Sequence, residues 1–147
     1  ILAHTSNKGS KDIQEMPLAN DIKCYEHLAN ILKPVAEKNK GSLGLSSIGV
    51  VAGATFKEDS ISLRKTLPSA PFLVPGYGAQ GASAQDACAA LIPDTTESGL
   101  KNFGLVNASR SILFSEGSSL ADSVEEWQEI ILTKIKTTNN ELKNVNY

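Results

Sequence analysis

Apolar runs of β type alternate with segments of helical spacing along all 147 residues, and this alternation limits the fold more than any other feature. "ILAHT" (1–5) reads as a first strand, and the polar "SNKGSKD" after it as a loop. Cys24, Leu28, Ile31, Leu32 and Val35 recur at helical spacing from Asp21, an N-cap or first-turn acid, to about Lys38. Pro34 is placed to kink this helix or to start a second one. "SSIGVVAGAT" (46–55) reads as a second strand buried on both faces, followed by a short helix over 58–67 that Pro68 ends. "APFLVPG" (70–76) is a third strand, and Ser83 caps a helix with Ala84, Ala87, Cys88 and Leu91 on one face. "FGLVNAS" (103–109) is the fourth. Val124, Trp127, Ile130, Ile131 and Ile135 mark a long final helix whose apolar stripe, Trp127 included, reads as core. The polar tail after it is expected to fray over 139–147.

Four βα units in succession fit an open doubly wound sheet or half of a (β/α)8 TIM barrel. The loops favour the barrel. In barrels the functional residues sit where strands end, and phosphate sites gather in the loops after the last strands. Here the two richest loops, "PGYGAQG" and "NASRS", follow consecutive strands. Glycines at 76, 78 and 81 permit positive φ and remove Cβ atoms, so backbone N–H groups are expected to converge on an anion. Gln80 adds an amide donor, and Arg110 offers a planar fork matched to phosphate oxygens. "SRSIL" begins a helical turn whose N-terminus favours negative charge. Together these residues read as a phosphate cradle.

Composition narrows the function. A chain 41% apolar and 20% charged is globular, and its length suits one domain, 1–147. A net charge of −2 and a pI near 5.7 leave no basic footprint, which argues against general nucleic-acid binding. Cys24 and Cys88 match no metal or redox spacing and read as small buried thiols of a reducing compartment. No apolar run approaches the roughly 18 residues of a membrane span, and the start does not read as a signal peptide. A cytoplasmic protein is the default expectation. The chain opens directly on an apolar strand, as though in mid-fold. His27 reads as an exposed helix residue, Glu58 and Asp86 as first-turn acids, and "EDS", "TTES" and "EEWQE" as solvated faces.

"TSNKGS", "VVAGAT", "PFLVPGYGAQG" and "NASRSIL" occur in an order and spacing that resembles the orotidine 5′-phosphate decarboxylase family, specifically its longer bacterial-type subfamily. The resemblance implies the C-terminal half of a TIM barrel, strands five to eight. It implies decarboxylation of orotidine monophosphate to uridine monophosphate and CO2 in pyrimidine biosynthesis, with no metal and no organic cofactor. Residue by residue, it implies that Ser6 reads the amide edge of the pyrimidine and that Pro75 and Gly76 shape the strand end beneath the base. Gln80, on the loop with Gly81, reaches the phosphate, and Arg110 anchors it. Ala82 stands where a second glycine is common. His4 stands where another residue type is usual, and no role is assigned to it.

The family's catalytic lysine and aspartates lie in a "DxKxxD" pattern that this chain lacks. "KEDS" (57–60) and "SKDIQ" (10–14) are on the wrong segments and have the wrong spacing. No catalytic residue is therefore expected here. The implied partners are the nucleotide, a missing N-terminal half-barrel and a second copy in a homodimer. Whether a phosphoribosyltransferase is fused, as in some relatives, stays open. Two alternatives remain beside this reading. One is another phosphate-binding barrel enzyme, such as a hexulose-phosphate synthase or a pentose-phosphate epimerase. The other is a non-catalytic half-barrel that binds nucleotide monophosphate.

Overall fold

In the computed structural model, which describes residues 1–93 and 101–145, the strands of the main sheet are separated in sequence by helices. The order is β1 (Leu2–His4), α1 (Lys11–Gln14), α2 (Cys24–Lys38), β2 (Val50–Ala52), α3 (Lys57–Thr66), β3 (Phe72–Pro75) and α4 (Ala84–Cys88). Then come β4 (Ile92–Pro93), β5 (Lys101–Asn102), β6 (Gly104–Asn107), α5 (Arg110–Leu113) and α6 (Val124–Lys143). The parallel sheet runs β1-β2-β3-β6, so neighbours follow chain order. A doubly wound sheet reverses its order at a switch point. This one does not, and it is an arc of a barrel. The antiparallel pair β4–β5 escaped prediction, because two-residue strands carry no readable period. The "TTES" stretch falls outside the described residues.

Helices cover one face of the arc. Ala3, Val50, Ala52, Phe72 and Val74 are at most 2% exposed, packed with Leu63 and Leu67 of the α3 region and Tyr25, Ala29 and Leu32 of α2. The opposite face is open, with Leu2, Leu73 and Leu105 at 63%, 41% and 73% exposure. Burial of the second strand is therefore complete only on its helix side, with Val51 half-buried on the other.

Two helix expectations need correction. Asp21 does not start α2: it has φ +60° in a turn that the Leu18 N–H closes on the Ile22 carbonyl at 2.9 Å. An aspartate tolerates that left-handed backbone better than most residues. The helix begins after Lys23, whose N–H donates to Glu26 Oε2 at 2.9 Å, and it stays continuous through exposed Pro34. At the other end, the tail expected to fray is helical to Lys143. Thr138 is buried, Leu142 and Val145 pack on the core, and the Tyr77 hydroxyl donates to the Glu141 carboxylate. A narrow inward line holds this helix, so its polar composition concealed it. The same narrowness keeps Trp127 (36% exposed) and Val124 (64%) out of the core, where only Ile131 of the predicted stripe is buried.

Arg64 closes the lower end of the arc. Its guanidinium donates to the carbonyls of Ala70 (2.7 Å), Ala90 (2.8 Å), Phe103 (2.8 Å), Leu67 (3.1 Å) and Pro68 (3.3 Å), and it stacks on Phe72 at 3.8 Å. Burial lowers its pKa to about 10, so it remains protonated at neutral pH.

Candidate functional site

A cavity of about 170 Å3 opens between the C-terminal ends of β3 and β6. Pro75, Gly76 and Gln80 line one side, and Asn107, Ser109 and Arg110 the other. The register explains this, because Val74 pairs with Val106 and Pro75 with Asn107, so the two loops leave the sheet side by side. Backbone constraints shape the loop after β3, where Gly76, Gly78 and Gly81 all have positive φ (106°, 71° and 94°). Gly76 is also crowded: a Cβ there would stand 3.0 Å from Ser6 Cβ and 3.1 Å from Gln80 Oε1.

Ser6 thus abuts Gly76, a cavity-lining residue, and it is seated there by Gly53, just after β2. A Cβ on Gly53 would lie 2.8 Å from the Ser6 nitrogen, closer than real Cβ contacts come, and 3.0 Å from its Cα. The Gly53 N–H donates to the His4 carbonyl at 2.7 Å, and the Thr5 N–H to Gln14 Oε1 at 2.8 Å. The predicted residues Ser6, Pro75, Gly76, Gln80 and Arg110 thus converge on one end of the sheet. Gly81 sits at the exposed loop tip, with nothing within 4 Å of a Cβ position.

The cradle differs from expectation in its donors. The N–H groups of Gly78, Gly81 and Ala82 are spent inside the loop, on the carbonyls of Ala82 (3.0 Å), Gly78 (2.8 Å) and Gly76 (3.3 Å). Closing a tight loop consumed them. The side-chain donors facing the cavity include the Gln80 amide and the Arg110 guanidinium. The loop is further tied to α6 through Tyr77, whose hydroxyl is pushed up to about 12 by burial and by its bond to Glu141.

Several site residues escaped the sequence reading. Asn107 and Ser109 line the cavity, and the Ser109 hydroxyl donates to Asn107 Oδ1 at 3.3 Å. Their signal was the strand-end loop "NASRS", of which only the arginine was used. Gly53 lies within the quoted "VVAGAT", but only the fold reveals what it makes room for. Of the remaining predicted residues, His27 is exposed on α2, and Glu58 lies in the first turn of α3. Asp86 forms a capping box with Ser83, whose bonds lower its carboxyl below the usual range. Cys24 is half-buried and Cys88 buried.

Fold and site together define part of a (β/α) barrel with a cavity of about 170 Å3 at the C-terminal strand ends. Comparison with known proteins makes this particular: the chain is homologous to orotidine 5′-phosphate decarboxylases. It is 44% identical over 115 residues to the enzyme of Clostridium kluyveri, covering 78% of this chain and 37% of that one. With the Clostridium perfringens enzyme the figures are 40% identity, 78% and 38%. The chain thus spans well under half the length of these curated relatives. No family model matches it. Among solved structures, Leishmania donovani UMP synthase is similar with a TM-score of 0.62 at 27% identity, over 97% of this chain and 27% of that one. Leishmania donovani OMP decarboxylase gives 0.57 at 26% identity, over 98% and 47%.

Proposed function

We propose that the protein carrying this chain is an orotidine 5′-phosphate decarboxylase, and that this segment is its strands five to eight, supplying the pyrimidine- and phosphate-binding loops. The observation that carries the reading is the cavity shared by Gln80 and Arg110, with Ser6 packed against Gly76 in its wall. Arg110 and Gln80 hold the phosphate through charge-assisted and amide hydrogen bonds. Ser6 pairs with the amide edge of the pyrimidine, and Pro75 and Gly76 form the surface beneath the ring. None of these groups moves a proton at the reacting carbon. That task belongs to a lysine and aspartates on the remaining part of the barrel. The segment's contribution is binding energy from the phosphate, used to orient the ring.

The reading includes a homodimer working in the cytoplasm, supported by the family resemblance; among the described residues, no helix is long and apolar enough to cross a membrane. The test is decarboxylation of orotidine monophosphate by the full-length protein. Arg110→Ala should raise KM by tens of fold, since a hydrogen bond to a charged group contributes about 1.5–3 kcal/mol. Uridine monophosphate should lose affinity in that variant while uridine does not. Equal losses for both ligands would remove the phosphate role.

A further inference from the structure

His4 lies on the helix side of the sheet, outside the cavity, and it is 0% exposed. Its ring is sandwiched between Phe56 (centroids 4.0 Å apart, planes 12°) and Tyr25 (4.7 Å, 9°). Nδ1 stands 3.2 Å from Asp59 Oδ2 on α3, and Nε2 3.5 Å from Glu15 Oε1 just after α1. Neither nitrogen completes a hydrogen bond. The other charged or titratable groups facing the cluster are Lys11, 3.6 Å from Glu15 Oε1, Lys23, 3.8 Å from Glu15 Oε2, and the Tyr25 hydroxyl, which donates to Asp59 Oδ1 at 2.8 Å.

A neutral imidazole has one N–H, so whichever nitrogen carries it, the other turns a lone pair toward a carboxylate. The protonated ring has a donor for each. A metal ion is the competing occupant, since His4, Glu15 and Asp59 offer ligand atoms within 4.8 Å of one another. Two facts weigh against it. The carboxylates flank opposite edges of the ring, and two lysines already face Glu15.

The cluster is mechanically joined to the base-reading residue. Glu15 follows Gln14, whose Oε1 accepts the Thr5 N–H (2.8 Å), and Thr5, whose hydroxyl donates to Asn7 Oδ1 at 2.6 Å, precedes Ser6. The His4 carbonyl holds Gly53, against which Ser6 is packed. We propose that His4 is a positioning residue: protonation of its ring draws Glu15 and Asp59 onto its two nitrogens and, through Gln14 and Thr5, fixes the seat of Ser6. Burial outweighs the two carboxylates and lowers the ring below its ordinary value, so the change occurs on the acid side of that value. The unfolded chain binds this proton more readily, so stability declines as pH falls from about 6.5 through the folded value, while the seat of Ser6 tightens.

The proposal rests on Ser6 reading the pyrimidine, and the test separates the two. In the full-length protein, KM and kcat for orotidine monophosphate are measured between about pH 5 and 8 for the parent and for His4→Gln, which cannot titrate. The substrate phosphate titrates near pH 6 in both, so only the ratio of the two proteins is read. On acidification the parent KM should fall roughly tenfold relative to the variant, with the kcat ratio flat; this is less than the ~100-fold a 1 Å misplacement can cost.

The Ser6 amide resonance should follow the same titration in the parent and not in the variant. If that resonance titrates but the protein neither binds nor decarboxylates the nucleotide, the functional reading fails and the positioning role stands. A flat resonance and a flat KM ratio overturn the positioning role. So does a Ser6 shift produced by micromolar zinc at fixed neutral pH and not by acid alone. Should His4→Gln not fold, Glu15→Gln leaves the ring one carboxylate and should shrink the pH-dependent KM ratio; an unchanged ratio overturns the proposal equally.

Discussion

Replacing Arg64 sets two opposed effects against each other. A buried cation with no acidic partner among the described residues carries a desolvation cost, and buried charges can often be exchanged for apolar groups of similar volume at no loss. On that ground Arg64→Met would be neutral or stabilising. The acceptors argue otherwise. Of the carbonyls that Arg64 serves, that of Phe103 also accepts the Phe72 N–H at 2.8 Å, and that of Leu67 also accepts the Ala70 N–H at 3.4 Å. Those of Ala70 and Ala90 belong to residues 1% and 3% exposed, where water cannot replace the donor. Each buried acceptor left without a partner costs about 1–3 kcal/mol, and the stack on Phe72 adds about 1 kcal/mol.

We therefore expect Arg64→Met to destabilise the full-length protein by about 4 kcal/mol. Arg64→Lys, a charge without the planar fork, should cost about half of that, because one ammonium cannot reach acceptors spread around the guanidinium. Denaturant midpoints at constant slope measure both. Retention of the parent midpoint by Arg64→Met, within about 1 kcal/mol, would refute the reasoning and mean that desolvation of the charge offsets the carbonyls.

Three further outcomes follow from the site and the sheet. Ser6→Ala should weaken uridine monophosphate binding by about 1–3 kcal/mol and leave ribose 5-phosphate nearly unchanged, as measured by calorimetry; equal losses would end the pyrimidine role. Gly53→Ala should mimic and exceed Ser6→Ala in KM, because the new methyl must displace the Ser6 backbone and not a flexible side-chain end; an unchanged KM would show that the seat of Ser6 is not set by Gly53. The isolated 147-residue chain should associate or aggregate in sedimentation, since Leu2, Leu73 and Leu105 leave an apolar face open and each such side chain forfeits about 1.5–3 kcal/mol; a cooperative, well-folded monomer would contradict this.

What the sequence disclosed and what it hid differ in kind. Strands and the larger helices were legible because burial on one face imposes a period. The cavity was legible because a glycine-rich loop and an arginine follow consecutive strands, a placement more telling than either feature alone. The His4 cluster was not, since its members come from β1, the end of α1 and α3, and nothing in "ILAHT" or "KEDS" marks a partner more than fifty residues away. Arg64 was hidden for another reason: its partners are carbonyls, which no side-chain pattern records. The inward turn of the loop amides was equally invisible, because "PGYGAQG" fixes where φ is positive and not which carbonyl each N–H meets.

Arg64 and the cavity sit at opposite ends of the same strands, and that placement explains why one was hidden and the other legible. Arg64 gathers carbonyls from the residues just before β3 and β6, at Ala70 and Phe103, while the cavity opens where those strands finish, at Pro75 and Asn107. In a barrel the N-terminal ends serve stability and the C-terminal ends serve chemistry. Stability can be met by backbone acceptors from any sequence. Binding a phosphate and a base needs particular side chains at particular loop positions. The division makes a separable prediction of its own kind: Arg64 variants should shift the denaturation midpoint and leave KM alone, whereas Arg110 and Ser6 variants should do the reverse.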